Sequence, residues 1–251
     1  MTMAVQVEIW TDINCPFCYL GKRRFEQALA GFEHRDQVRV VHRSFELDPT
    51  LPAGHSGPVV AHIAEKYGIS EAQAAANERG IAAQAQAVGL PYRTEGRDFG
   101  NSFDTHRLLH FALERERQEE LLDALYEGNF ADERPVFGDR ERLIELATRA
   151  GLDAAEVRAT LDDPRAYAEA VRADEQTAAE LGATGVPFFV FDRTYGVSGA
   201  QPPEVFTQAL ERAWADQAPA LQVLSDGETC GPDGCVVEPG GTAAAPPRDH
   251  H

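Results

Sequence analysis

Cysteine is scarce in this chain, with four in 251 residues. That is too few to staple a protein of this length, so the fold must stand on a hydrophobic core. Positive charge is also short: 23 Lys and Arg face 41 Asp and Glu, for a formal net charge of −18. Nucleic acid and anionic membrane surfaces both demand clustered cations, and the composition argues against either as a partner. Long apolar runs are missing as well. No stretch approaches the roughly 18 residues of a spanning helix. The opening Met1-Thr2-Met3-Ala4-Val5-Gln6-Val7-Glu8 has neither the basic nor the apolar region of a secretion leader. The expectation is a cytoplasmic protein without membrane attachment, monomeric or homodimeric. What is present is 43% hydrophobic residues, enough for one domain or for a small domain with a large insertion.

The four cysteines form two close pairs, Cys15/Cys18 and Cys230/Cys235. Two local pairs in a chain expected to be cytoplasmic point to redox or metal chemistry. The first pair lies in Ile9-Trp10-Thr11-Asp12-Ile13-Asn14-Cys15-Pro16-Phe17-Cys18, which reads as a short strand, a brief loop and Cys-x-x-Cys at the start of a helix. A thiol there faces unpaired backbone N–H groups and the positive end of the helix dipole. Both favour the thiolate, the form that attacks disulfides. Pro16 suits an early helical position, where its missing N–H is not needed. Cys15 is the expected attacking sulfur and Cys18 the resolving one. The neighbouring Asp12 carboxylate opposes ionisation of Cys15. Lys22, Arg23 and Arg24 read as a solvated face.

Along the chain, residues 5–10 alternate apolar and polar and read as a strand. A helix over 15–30, with Gly31 as its C-cap, and a strand over 38–47 complete a β-α-β unit. From about residue 58 to 181 the pattern is helical throughout. Its helices fall near 70–89, opened by the capping box Ser70-Glu-Ala-Gln73, then 102–116, 118–129, 139–150, 154–161 and 164–181. Strand character returns at Gly185-Val186-Pro187-Phe188-Phe189-Val190-Phe191, a short second strand follows, and a helix over 201–214 closes the set. The fold class is therefore α/β: a thioredoxin fold, β-α-β and then β-β-α, interrupted by a large all-helical insertion. The expected divisions are residues 1–47 and 183–216 for the two thioredoxin halves, 48–182 for the insertion, and 217–251 for a small, polar tail holding the second cysteine pair.

Pro187 stands just before an apolar strand, where proline normally interrupts pairing. It reads either as a trans edge-strand proline or as a cis-proline loop facing Cys15, and the upstream β-α-β unit with its Cys-x-x-Cys favours cis. In that arrangement the backbone of Val186 is free to pair with an extended substrate. Cys-x-x-Cys is also half of a zinc site, and Cys230 with Cys235 could supply the other half. In Cys230-Gly-Pro-Asp-Gly-Cys235 the central residues favour chain reversal, which would bring the two Cα atoms into disulfide range. A second redox pair, a structural disulfide and free thiols remain open readings there. His106 and His110, four apart on one helix face, suit a metal pair or a packing stripe, and His42 is a further acid–base candidate.

Asp12-Ile-Asn-Cys-Pro-Phe-Cys-Tyr-Leu-Gly-Lys22, Asn101-Ser-Phe-Asp-Thr-His-Arg-Leu-Leu-His-Phe-Ala112 and Gly182-Ala-Thr-Gly-Val-Pro-Phe-Phe-Val190 together resemble the FrnE group of DsbA-like proteins, over roughly residues 5–214. The resemblance implies dithiol–disulfide activity toward protein disulfides or thiols, with a role in oxidative-stress tolerance. It also implies no cofactor beyond redox-active disulfides, with glutathione or a thioredoxin system as electron partner. It sets Pro16, Phe17, Val186 and His106 among the substrate-contacting candidates and includes relatives with an extra C-terminal Cys-x4-Cys. Related 2-hydroxychromene-2-carboxylate isomerases are glutathione-dependent and lack the full cysteine pair, so a small-molecule isomerase or transferase is the alternative, and a non-catalytic chaperone a further one. No metal is expected.

Overall fold

The first strand is buried on both of its faces, and this sets the layers of the molecule. In the computed structural model, residues 4–217 are described, together with 230–231 and 234–235. β1 (Val5–Thr11) turns Val5, Val7 and Ile9 to one side and Glu8 and Trp10 to the other, all fully buried. α1 (Pro16–Gly31) follows, with Cys15 in extended conformation as its N-cap, and its C-cap is Phe32 rather than the expected Gly31. β2 (Val38–Ser44) runs parallel to β1 in the register Val5↔Val38 to Thr11↔Ser44.

A departure from expectation comes next. The insertion is not wholly helical: β3 (Ser56–Pro58) pairs antiparallel with β4 (Asp98–Gly100). Between them lie α2 (Val59–Tyr67) and α3 (Glu71–Ala87), the latter capped by Ser70 Oγ accepting from Gln73 N–H at 3.2 Å. Strands of three residues containing Gly and Pro carry no alternating pattern, which is why the sequence conceals them. The helices α4 (Phe103–Leu113), α5 (Gln118–Phe130), α6 (Arg140–Arg149), α7 (Ala154–Asp162) and α8 (Ala168–Glu180) follow. The last begins four residues later than its pattern suggests, after Tyr167 in the left-handed region at φ 60°.

The chain then returns to the sheet as β5 (Phe188–Phe191) and β6 (Tyr195–Ser198), joined through Asp192 and Arg193 at φ 47° and 52° with Thr194 N–H bonded to Phe191 O. Three residues, Asp192 to Thr194, thus lie between the paired Phe191 and Tyr195, and positive φ at the first two turns the chain back within that short loop. The sheet order is β2-β1-β5-β6, with β5 antiparallel to both neighbours. α9 (Pro203–Gln217) packs beside α1.

One face of the sheet meets α1 and α9 through Val7, Ile9, Phe25, Phe189, Phe191, Phe206 and Leu210. Each such side chain contributes roughly 1.5–3 kcal/mol by leaving water. On the same side, Trp214 stacks on His34 with ring centroids 3.9 Å apart. The other face meets α8 around Trp10, whose Nε1–H donates to Asp174 O at 2.8 Å. There the buried Glu8 carboxylate receives Arg43 and Arg193. The described residues 4–217 belong to one compact unit. In a second unit β7 (Cys230–Gly231) and β8 (Gly234–Cys235) pair antiparallel with Cys230 opposite Cys235. Directly opposed residues of such a pair have Cα atoms about 4.5–5.5 Å apart. The cysteine side chains themselves lie outside the described residues. No helix among the described residues is long and apolar enough to cross a membrane.

Candidate active site

The loop from β1 into α1 is clamped before it reaches Cys15. The Asp12 carboxylate accepts from Leu47 N–H at 2.7 Å and Asn14 N–H at 3.1 Å, and Asp12 O accepts from Cys15 N–H at 3.1 Å. Asn14 makes two hydrogen bonds to the insertion, donating to Gly100 O at 2.8 Å and accepting from Gly100 N–H at 3.1 Å. Gly100 is required there, since a Cβ would lie 2.3 Å from Phe137 Cβ and 2.5 Å from His55 O. Asn129 of α5 holds Ile13 O at 2.7 Å.

This clamped loop delivers two free thiols into unlike surroundings. Cys15 caps α1 and is 5% exposed. Its Sγ lies 3.5 Å from Val186 O, and the Val186–Pro187 peptide bond is cis. The proline loop thus faces the sulfur. Gly21, one turn along α1 from Cys18, makes room for this loop, because a Cβ there would stand 2.9 Å from Pro187 Cγ. Cys18, at 1% exposed, is shut beneath. Burial, and then the hydrogen bond and charge of Cys15, push the Cys18 thiol well above its ordinary range, against the Thr11 hydroxyl and the Asp12 N–H that it packs on. Thr11 in turn is hydrogen-bonded to the buried Tyr126 hydroxyl.

A cavity of about 850 Å³ opens beside Cys15. Pro16, Phe17, Thr184, Gly185 and Val186 line it on the thiol side, and Ile63, Ile69, Ile81 and Phe99 line it on the α2/α3 side. Phe17 is 43% exposed at its rim. The charged side chains in the wall are Glu78 and Arg97. Arg97 donates to Glu78 at 2.8 Å, Tyr92 OH donates to the same oxygen at 2.9 Å, and the Arg97 guanidinium lies over the Tyr92 and Phe130 rings. No local pattern announces this trio, whose members are spread over residues 78–97.

Of the sequence candidates, Cys15, Cys18, Pro16, Phe17, Val186 and Pro187 come together. His106 does not join the cavity wall. It is fully buried behind the loop, so it is no surface for substrate to touch, which corrects its placement as a substrate contact. Lys22 is likewise no solvated residue. Its side chain is 5% exposed, held between Glu26, Glu119 at 2.8 Å and Asp123 at 2.6 Å. Burial alone would lower it, but these three carboxylates hold Lys22 above the usual lysine range. His42 Nε2 meets Glu119 at 2.7 Å in the same network. There, despite burial, the His42 and Lys22 charges keep Glu119 well below the carboxylate range. His110 is bound to Asp174 at 3.0 Å rather than paired with His106.

Against known proteins, the sequence pattern of the DSBA-like thioredoxin domain matches residues 6–211. A solved structure described as a probable DsbA oxidoreductase from Streptomyces coelicolor is 64% identical, with a TM-score of 0.83, over 94% of this chain and 100% of that one. The Bacillus subtilis (strain 168) protein YwbO is 28% identical over 209 residues, 83% of this chain and 96% of its own length. A 2-hydroxychromene-2-carboxylate isomerase shares the fold at 14% identity and a TM-score of 0.55, covering 85% of this chain and 99% of the isomerase.

Proposed function

The chain belongs to the family of DSBA-like thioredoxin domains, and from that premise we propose that it is a thiol–disulfide oxidoreductase and isomerase acting on protein disulfides through Cys15 and Cys18. The observation that carries the reading is the unequal placement of the two sulfurs: Cys15 caps a helix at the wall of a cavity, and Cys18 is closed off beneath it.

The Cys15 thiolate attacks one sulfur of a substrate disulfide. A Cys15–substrate bond forms, the substrate S–S bond breaks, and the departing thiolate takes a proton from water. Cys18, having lost its proton, then attacks the Cys15 sulfur. The Cys15–Cys18 bond forms, the mixed disulfide breaks, and the second substrate thiol leaves. Substrate is reduced and the enzyme pair oxidised; the reverse direction oxidises a substrate dithiol, and alternation of the two isomerises. Pro16, Phe17 and the Val186 backbone meet the substrate chain. Glutathione or a thioredoxin system restores the dithiol, and no other cofactor enters. Cys230 and Cys235 serve as an auxiliary pair that exchanges with the first; their opposed positions in the β7/β8 ribbon support a bond between them. The setting is the cytoplasm, and the role is tolerance of oxidative stress.

Insulin reduction and refolding of scrambled ribonuclease test the reading. Cys15→Ser is expected to lose both activities, and Cys230→Ser/Cys235→Ser to be impaired in both yet active. Equal activity of the tail variant and wild type would remove the auxiliary pair from the scheme. A second reading, a glutathione-dependent isomerase of small aromatic substrates, is favoured by the cavity, whose volume suits a small molecule. Full activity of Cys15→Ser on such a substrate would replace the first reading with it.

A further inference from the structure

The sequence of α3 is built for helicity. Eight of its residues are alanine, the best helix former, and Ser70 caps its start. Gly80 breaks that pattern in the middle of the helix, where glycine is less favourable than any residue but proline. The other helix-interior glycines have a packing reason. A Cβ at Gly21 would lie 2.9 Å from Pro187 Cγ, and one at Gly128 would lie 3.0 Å from Leu146 Cδ1 and 3.1 Å from Val136 Cγ2. At Gly80 a Cβ would meet nothing within 4 Å among the described residues, beyond its chain neighbours and its own helical backbone. Neither a close approach inside the protein nor a left-handed backbone accounts for this glycine.

What Gly80 borders is the cavity beside Cys15. Asn77, Gly80, Ile81 and Gln84 all line it, and steps of three and four residues put them on one face of α3. The thiol side of the same cavity holds Cys15, Phe17 and Val186. A substrate sulfur bonded to Cys15 therefore brings the residues next to it to this space. At about 850 Å³ it is far larger than a cysteine side chain needs. Its lining restricts what can fill it. Ile63, Ile81 and Phe99 are apolar, and Asn77 and Gln84 carry no charge. Glu78 and Arg97 neutralise each other at 2.8 Å. In a chain of net charge −18 this wall has none. Burial of apolar surface is the driving force such a wall offers.

We propose that Gly80 sets the size of the group that the cavity admits, and that this group is a large apolar side chain next to the disulfide-bonded cysteine of a protein substrate; the assignment rests on the dithiol exchange described above. With a hydrogen in place of a methyl, the α3 wall is set back and a bulky side chain can lie against the helix backbone. The helix is weakened at one position, and the cavity is deepened near the reacting sulfur. Gly80 is a specificity-determining residue and takes no part in bond making. In the exchange itself the Cys15 thiolate forms a disulfide with the substrate cysteine, the substrate S–S bond breaks, and the departing thiolate takes a proton from water. The apolar neighbour of that cysteine changes only how tightly the substrate is held while this happens.

Internal competition tests this. Full-length protein carrying Cys18→Ser, Cys230→Ser and Cys235→Ser keeps Cys15 as its one sulfur nucleophile. This parent is offered equal amounts of two symmetrical disulfides, those of N-acetyl-Cys-Phe-amide and N-acetyl-Cys-Ala-amide, both uncharged. The two Cys15 adducts are measured by intact mass. The parent is expected to favour the Phe adduct about tenfold or more. Gly80→Ala should cut that preference about threefold and Gly80→Leu about tenfold, while the Ala adduct forms within about twofold of the parent rate. Gly80→Ala should also raise the melting temperature by about 2–4 °C, because alanine suits a helix interior better. An unaltered Phe preference in both variants would overturn the proposal. So would a parent that takes both peptides equally, slowing of both adducts by one factor, or a lower melting temperature for Gly80→Ala, the mark of a structural need for glycine. If Gly80→Leu does not fold, Gly80→Ala decides by the same ratio. A parent that forms no adduct with either disulfide would sink attack by Cys15 itself, and is told apart in that way.

Discussion

The two sulfurs of one four-residue motif occupy opposite environments. The side of the loop that holds Cys15 is an apolar hollow with its few charges paired, as in Glu78 and Arg97. The side that holds Cys18 is a packed, ionisable interior of Thr11, Asp12, His106 and Tyr126. The motif itself is nearly symmetrical. The asymmetry is imposed by elements far away in the chain, α2, α3 and the proline loop on one side and α4 and α5 on the other. Attack and resolution are thus divided by the packing of an insertion onto a small sheet, and the difference can be broken or sharpened by substitution.

The largest effect should come from removing the sulfurs one at a time. Cys15→Ser should lower insulin reduction by roughly three orders of magnitude or more, because the nucleophile is gone. Cys18→Ser should instead retain the first attack and accumulate a mixed disulfide visible as a mass increase on intact protein. If the trapped adduct formed equally well in both variants, the contrast between the sulfurs would be false. Next in size is the wall behind Cys15. Gly21→Ala places a Cβ 2.9 Å from the Pro187 ring, an overpacking expected to cost about 1–3 kcal/mol. Differential scanning calorimetry should show the fall, at roughly 2–4 °C per kcal/mol, together with a several-fold loss of exchange rate. An unchanged melting temperature would show that the proline loop gives way freely.

Asn14→Ala strips both hydrogen bonds to Gly100. Its cost, about 2 kcal/mol, should appear as a lower urea midpoint with an unchanged slope. The smallest change expected is Lys22→Met, about 1–2 kcal/mol, since the three carboxylates around the lysine are themselves one-third or more exposed. Its pH dependence has a definite sign. Lys22 is held above its unfolded value, so its contribution is complete through neutral pH and is lost only as alkali titrates the folded lysine. Glu119 is held below its own, so its contribution is complete above the ordinary carboxylate range and is lost as acid is added toward its lowered value. Chemical denaturation from pH 3 to 9 should therefore find a constant gap between Lys22→Met and wild type above about pH 5, narrowing in acid. A gap that widened on acidification would refute the assignment.

Much of the Cys15 side was legible from residues alone, because its signals are local. Cys15 and Pro16 at a helix start, Val186-Pro187 before an apolar strand and the Ser70 cap each depend on neighbours within a few positions. The Cys18 side was nearly silent. Asp12 and His106 are 94 residues apart by number, and Asn14 and Gly100 are 86 apart. No spacing rule connects such pairs; only the folded topology does. Lys22 misled for the same reason, since its partners Glu119 and Asp123 come from another helix a hundred residues on. The cavity was invisible too. It is framed by α2 and α3, whose placement depends on the three-residue β3/β4 pairing that the sequence conceals.

The two tryptophans give the protein a built-in optical gauge. Trp10 directly precedes Thr11, on which Cys18 packs, whereas Trp214 lies stacked on His34 in the α1/α9 layer. Emission that shifts on oxidation of the dithiol is therefore expected from Trp10 rather than from Trp214. A Trp214→Phe variant would leave Trp10 as the single emitter, one residue in sequence from the Thr11 contact of Cys18, by which turnover can be followed in real time without any added dye.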